Sequence, residues 1–505
     1  MYVDRISKGF VYIIGLNILQ FLIGLSFYSV AAKILNPTDL GIISSLTFIY
    51  SIFVVVVPLA LPVAATKYVA EYIGRGEIEK ASNVASSVIK LVLKISVIFL
   101  IFSYLGYVII LLRFEGGYSS AFFIMVTLVA SFAAVIRLTY LALLQGLQRF
   151  DRFVISNSST AIVSRLASLA LILSGFSLNG FALGTFFGEL FGLVLTMICY
   201  RGLLPRAKDS YPSKLLLSFS LPVYTSNVSN VLSDWADRIL LLAVSFNLAA
   251  LGVYELVLKG IGLLSVIWGT IDVILLPVFS EAYGQLGTAK LTPLLKKALR
   301  YLSFLFFPAA LGLASISESL MILLFGLEYA NGGLPLALIS VFSIFAAFSI
   351  IMSSTLKSIG ETRFFIFVSI FSVIADSSLV VILAPSLGIF GAIAGRIAVY
   401  IITFIFIYSK LRSRISLEVD IRGLWKSFLA SLFLVVVVKL FQNVYMSLYT
   451  SPVFVVVEIG LGLATYILGL ALLRALNSED FILLRKMLPK KLSKTISLFE
   501  KILVR

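Results

Sequence analysis

Six basic residues lie inside long apolar stretches of this 505-residue sequence: Arg137, Arg165, Arg238, Lys259, Arg396 and Lys439. Seven acids share those surroundings: Glu189, Asp234, Asp237, Glu255, Asp272, Asp376 and Glu458. A charge at mid-bilayer costs at least ~2.5–3.5 kcal/mol on insertion scales, so such groups pair with one another or bind something. Depth sorts several of them. Arg165 stands 9 residues before the end of the stretch 154–174, and Glu189 stands 11 after the start of 178–200. Asp376 and Arg396 match likewise on 364–384 and 387–409, as do Lys439 and Glu458 on 424–446 and 452–476. Each match is expected to be a structural ion pair between neighbouring helices. The alternative is a pair that opens or faces a cavity.

The other charges are arranged differently. Asp234 and Arg238 are four apart on one helix face, and so are Glu255 and Lys259. With Asp237 they form a group that either neutralises itself or makes a site. In a site, Arg238 and Lys259 would face a pyrophosphate while Asp234 or Asp237 bound Na⁺ or a proton. Arg137 has no acid at equal depth nearby and is the leading candidate for contacting an anionic head group, unless it snorkels to the inner surface. Arginine suits phosphate because its planar fork donates paired hydrogen bonds. Asn17, Gln20, Asn227 and Asn230 could line a cavity or simply join helices.

Composition explains why those charges matter. Hydrophobic residues make up 60% and charged residues 13%, with a mean hydropathy of +1.09. A soluble domain carries about 25% charged residues. A span needs about 20 apolar residues, and fourteen stretches qualify: 9–32, 42–65, 86–112, 119–146, 154–174, 178–200, 215–246, 251–279, 299–317, 334–356, 364–384, 387–409, 424–446 and 452–476. The first run is too long for a signal-peptide core and reads as a span. There is no histidine, which excludes imidazole catalysis and His-ligated metals, and the single Cys199 allows no thiolate cluster.

Orientation follows from lysine and arginine. With the N-terminus inside, 32 of the 40 basic residues fall on inner segments, whereas only Lys33 and Arg113 fall outside. Both termini are therefore expected in the cytoplasm. The net charge of +16 reflects this bias and attraction to an anionic inner leaflet rather than nucleic-acid binding. A basic amphipathic tail at 478–505 is expected to lie on the membrane surface.

The halves resemble each other at an offset near 211 residues. KILNPTDLGII (33–43) aligns with VSFNLAALGVY (244–254), EYIGRGEIEK (71–80) with EAYGQLGTAK (281–290), and Arg152-Phe153 with Arg363-Phe364. About six spans separate equivalent positions, so both halves enter from the same side as parallel repeats. Arg165 and Asp376 are also 211 apart, as if the repeat kept an ion pair while exchanging its signs. The expected fold is an all-α polytopic membrane protein of about fourteen transmembrane helices. It divides into two six-helix lobes (1–213 and 214–420), an appended pair (421–477) and the tail.

The segment Leu35-Asn36-Pro37-Thr38-Asp39-Leu40-Gly41 resembles the short first outer loop of polysaccharide-biosynthesis flippases of the Wzx type. Those belong to the multidrug/oligosaccharidyl-lipid/polysaccharide exporter superfamily. Asp237-Arg238, followed by Ala250-Leu251-Gly252-Val253-Tyr254, resembles the start of their second lobe. The likeness covers roughly residues 5–415. It implies a V-shaped two-lobe transporter moving polyprenyl- or dolichyl-linked oligosaccharide outward across the plasma membrane by alternating access. Glycan-assembly enzymes are further candidate partners. Relatives that flip the peptidoglycan precursor bind a cation with acids from spans seven and eleven, which Asp234 or Asp237 and Asp376 match. Here Arg396 could fill the place of such a cation. Those relatives also carry arginines in spans one and two, whereas nothing charged lies between Leu40 and Thr66.

Two other functions compete. A multidrug/cation antiporter of the same superfamily would favour an acidic cavity, against which Arg137 argues. A membrane glycosyltransferase needs a large outer loop with clustered acids, and the expected outer connections are short. No cofactor is expected beyond Na⁺ or H⁺ as a coupling ion.

Overall fold

Apolar runs that end at charge clusters and turn residues fold as helices because only a helix satisfies its own backbone polar groups in lipid. The structure, a computed structural model, describes residues 2–113, 118–361, 363–445 and 451–475. The expected tail at 478–505 lies outside these residues, as do the side chains of Asn17 and Asp272.

The first eight helices are α1 (Tyr2–Ala31), α2 (Pro37–Val56), α3 (Leu61–Gly74), α4 (Ile78–Arg113), α5 (Tyr118–Gly146), α6 (Phe150–Leu171), α7 (Ser177–Tyr200) and α8 (Ser213–Ser245). Then come α9 (Leu248–Leu286), α10 (Thr288–Ser315), α11 (Ser317–Phe325), α12 (Gly333–Ser358), α13 (Phe364–Leu387), α14 (Ile389–Arg414), α15 (Ile421–Val444) and α16 (Pro452–Leu472). The chain forms two compact units. One holds the residues up to Leu242 together with Asn247–Glu255; the other holds Ala243–Phe246 and the chain from Leu256 on.

The fourteen expected stretches fall on these helices, but eleven stretches of the described residues are long and apolar enough to cross a membrane. Phe150–Tyr200 is one continuous apolar stretch of 51 residues that holds two expected spans. Among the described residues α1 contributes the shorter apolar helix Ile18–Ala31. Asn227, Asn230, Asp234, Asp237 and Arg238 dilute α8. The stretch expected at 42–65 is also broken. Pro58 and Pro62 flank Leu59 and Ala60, whose φ angles of 50° and 53° are left-handed, and α2 gives way to α3 there. Proline rings prevent the helix from continuing through this turn.

The repeat is visible where α2 and α9 begin. Asn36 caps α2 by accepting from the Asp39 amide at 2.9 Å, and Asn247 accepts from the Ala250 amide at 2.9 Å, the same bond 211 residues later. Both helix starts lie in the first unit, and their contact is reciprocal. A Cβ on Gly41 would stand 1.9 Å from the Leu248 carbonyl oxygen, and one on Gly252 2.0 Å from that of Pro37. Ser44 Oγ donates to Glu255 Oε2 at 3.3 Å, again a separation of 211. Contact of residue i with j matched by contact of j with i is what a local two-fold produces. Both glycines are needed for this approach. Gly252→Ala is expected to destabilise the protein by about 1–3 kcal/mol, the usual cost of overpacking. Gly24→Ala, where nothing lies within 4 Å, should leave the unfolding midpoint in detergent unchanged. Equal midpoints for both variants would refute the close approach.

The segment between α7 and α8 is fastened along α4. The amides of Lys208 and Asp209 donate to Asn83 Oδ1 at 3.1 and 3.2 Å, and the Tyr211 amide donates to Ser87 Oγ at 2.8 Å. Lys208 Nζ reaches Glu79 at 2.6 Å, a hydrogen bond that raises the ammonium above its ordinary range. Burial, then the hydrogen bond shared with Tyr72, pushes the Tyr211 phenol up. In the first unit the core behind this segment is built from small side chains, among them Ala64, Ala65, Val69, Ala81, Val84 and Val88.

Candidate functional site

Helix α7 carries Gly180, Gly184, Gly188 and Gly192, one every four residues, on a single face. A Cβ at Gly184 or Gly188 would collide with Ser168 or Ser164 of α6 at 2.2–2.4 Å, and at Gly192 with Thr160 at 2.2 Å. Such small-residue faces let helices approach closely in lipid. Gly192 also clears the way for Arg137 of α5, whose Cδ would stand 2.8 Å from that Cβ. Arg137 thereby reaches Glu189.

The expectation that Arg137 lacks an acid is therefore corrected. Its Nε donates to Glu189 Oε2 at 2.7 Å and its Nη2 to Oε1 at 3.2 Å. Tyr50 Oη donates to Glu189 Oε1 at 2.8 Å, and Arg137 Nη1 donates to Asn157 Oδ1 at 3.1 Å. Arg137 and Glu189 are 5% and 6% exposed, a buried and well-bonded pair. The pairing of Arg165 with Glu189 is corrected as well. Arg165 makes no ion pair among the described residues; its guanidinium lies over Phe27, 4.7 Å from the ring centre, and 5.9 Å from that of Phe181. These groups line a cavity of about 210 Å³ with Gln20, Thr127 and Thr185. Two guanidiniums against one carboxylate make its lining net positive.

A second node lies where α8 meets the start of α9, still in the first unit. Arg238 Nε stands 3.0 Å from Glu255 Oε2, its Nη1 donates to the Asp234 carbonyl at 2.8 Å, and it covers the Trp235 ring at 4.4 Å. Asp237 is fully buried and accepts from the Tyr254 hydroxyl and, at 2.8 Å, from the Arg238 amide. Arg238 is therefore engaged by an acid rather than standing free for a phosphate. Lys259 belongs to the second unit and is half-buried on α9.

The second unit holds the remaining expected pairs. Asp376 is buried on α13, and a Cβ on Gly395 of α14 would come within 2.5 Å of its Oδ1, which places the acid beside the residue preceding Arg396. Lys439 and Glu458 do not pair directly, a further correction. Lys439 Nζ donates to Gln442 Oε1 at 2.7 Å, and Gln442 Nε2 donates to Glu458 Oε1 at 2.6 Å. Gln442, one turn from Lys439, is the nearer partner for both side chains. Tyr50, Asn157, Gln442 and the glycine column were not singled out from the sequence; the four-residue spacing of the glycines was the available signal.

The fold matches solved membrane transporters. The lipid II flippase MurJ, in an inward closed conformation, aligns with a TM-score of 0.69 at 14% identity, covering 92% of this chain and 98% of that one. A multidrug resistance MATE family transporter of the MOP superfamily in its inward-facing conformation gives 0.63 at 19%, covering 80% and 98%. An outward-facing structure of such a transporter gives 0.55 at 19%, covering 82% and 95%. No curated protein matches the chain in sequence. The chain thus shares the polytopic α-helical fold of those membrane proteins. The family model described as polysaccharide biosynthesis protein matches residues 6–283, more than half the chain, and the protein belongs to that family.

Proposed function

We propose that the protein is a flippase for polyprenyl- or dolichyl-(pyro)phosphate-linked oligosaccharide, working by alternating access in the plasma membrane with both termini cytoplasmic. The observation that carries this reading is the net positive cavity of the first unit, in which Arg165 has no acid partner among the described residues. Phosphate accepts hydrogen bonds from an arginine fork, and a half-buried guanidinium attracts it more strongly than one in water. Arg165 thus takes the phosphate-binding role expected of Arg137, which instead shapes the cavity with Glu189. The second unit supplies a complementary feature. A cavity of about 700 Å³ lined by Phe307, Phe345, Phe404, Trp425 and Phe428 has the character to hold part of an isoprenoid tail. Coupling to Na⁺ or H⁺ through Asp234, Asp237 or Asp376 belongs to the same reading.

The test follows head-group movement in proteoliposomes holding a fluorescent sugar on polyprenyl pyrophosphate. The phosphate-linked lipid should cross, while the same sugar on a neutral polyprenyl ether should not. Asp237→Asn should abolish any dependence on a Na⁺ or H⁺ gradient. Movement of ethidium-like cations without lipid translocation would replace this reading with multidrug antiport, which the positive cavity disfavours.

A further inference from the structure

Helix α16, Pro452–Leu472, carries one residue that can be charged at neutral pH, Glu458. Its side chain is fully buried, and its two oxygens differ. Oε1 accepts from Gln442 Nε2 at 2.6 Å and from Ser319 Oγ at 3.1 Å. Oε2 has no hydrogen-bond partner among the described residues. An ionised carboxylate spreads its charge over both oxygens and needs donors at each. A neutral acid keeps its carbonyl oxygen, here Oε1, as the acceptor for both donors and leaves at Oε2 one unmet O–H, which costs less than an uncompensated buried charge.

Among the described residues no counter-charge is in contact with Glu458. On α15, Lys439 carries a positive charge but spends its Nζ on Gln442 Oε1. On α11, Ser319 faces the acid whereas Glu318 is exposed. On α10, Ser315 accepts from Gln442 through its carbonyl at 3.0 Å. The basic residues of α10, Lys290, Lys296, Lys297 and Arg300, lie at least 15 residues earlier, about 22 Å along the helix. A buried ion without a contacting partner takes up or loses a proton instead. Beside Glu458 is an apolar cavity of about 290 Å³ whose wall includes Gly312 and Leu434. Its lining residues Leu305, Ile459 and Leu463 are 43%, 46% and 55% exposed, so lipid-soluble molecules have a way in.

We propose that Glu458 holds its proton at neutral pH and is a modification site for lipid-soluble carbodiimides. The acid's proton passes to one carbodiimide nitrogen while its oxygen bonds to the central carbon. The acyl group then shifts from that oxygen to the second nitrogen, leaving a stable N-acylurea with nothing expelled. An ionised carboxylate brings no proton and does not start this sequence.

The test treats the full-length protein in phosphatidylcholine vesicles with dicyclohexylcarbodiimide and maps adducts by peptide mass. The adduct on Glu458 should exceed those on Glu189 and Glu255 by about tenfold, because arginine occupies those two carboxylates, and it should fall as the medium is made alkaline. Glu458→Gln should remove the adduct from that peptide. Lys439→Met should leave labelling of Glu458 unchanged, since the acid is already neutral. A severalfold rise in Lys439→Met would show that lysine had kept Glu458 ionised and would overturn the proposal. So would an unlabelled Glu458 in the unaltered protein, or Glu189 labelled equally.

Discussion

Glu189→Ala should lower stability by about 3–5 kcal/mol, because it strands a buried guanidinium. Arg137 is 5% exposed and spends two of its donors on that carboxylate. Asn157 alone would remain to it, and Tyr50 would lose its acceptor. The informative comparison is the double variant Arg137→Met/Glu189→Met. Replacing both charges with apolar side chains of similar volume is often neutral, so most of the stability should return. Tyr50→Phe, which leaves one acceptor short of a donor, should cost about 1 kcal/mol. Thermal unfolding in detergent measures all three. If Glu189→Ala unfolds within about 0.5 kcal/mol of the unaltered protein, as harmless surface changes do, the pair is not the buried anchor described here.

Arg165→Ala should have the opposite profile. It breaks no ion pair, so its stability should change by less than about 1 kcal/mol, the cation–π contact with Phe27 being its main loss. Head-group translocation should instead fall by about tenfold to a hundredfold, the worth of one charge-assisted hydrogen bond at ~1.5–3 kcal/mol. Arg165→Lys keeps the charge but loses the paired donors and should recover only part of the rate. The measurement is the proteoliposome assay alongside thermal unfolding. A translocation rate equal to that of the unaltered protein in Arg165→Ala would remove Arg165 from substrate contact.

The helices and the repeat marked by Asn36 and Asn247 were legible in the sequence because each is local: an apolar run and an ordered set of loop motifs. The partners of Arg137, Arg165, Lys439 and Glu458 were not. Counting depth along a helix tells how far a side chain lies from the surface but not which helix stands next to it. Arg165 and Glu189 have matching depths on consecutive helices, yet the glycine face of α7 turns Glu189 toward α5, where Arg137 waits. The same limit applied to Lys439 and Glu458, where a neutral glutamine intervenes at 2.7 and 2.6 Å. Polar but uncharged side chains leave little trace in a search for charge, and Tyr50 and Gln442 were missed for that reason.

The segment joining α7 to α8 has a mechanical consequence. Three of its backbone amides are tied to side chains of α4, so it behaves as an added layer of that helix's N-terminal end and not as loose cord. A hinge works only where chain is free to turn about its bonds. Flexing in this stretch would first have to release Asn83 and Ser87, which leaves the tether about as stiff as the bundle it is stitched to.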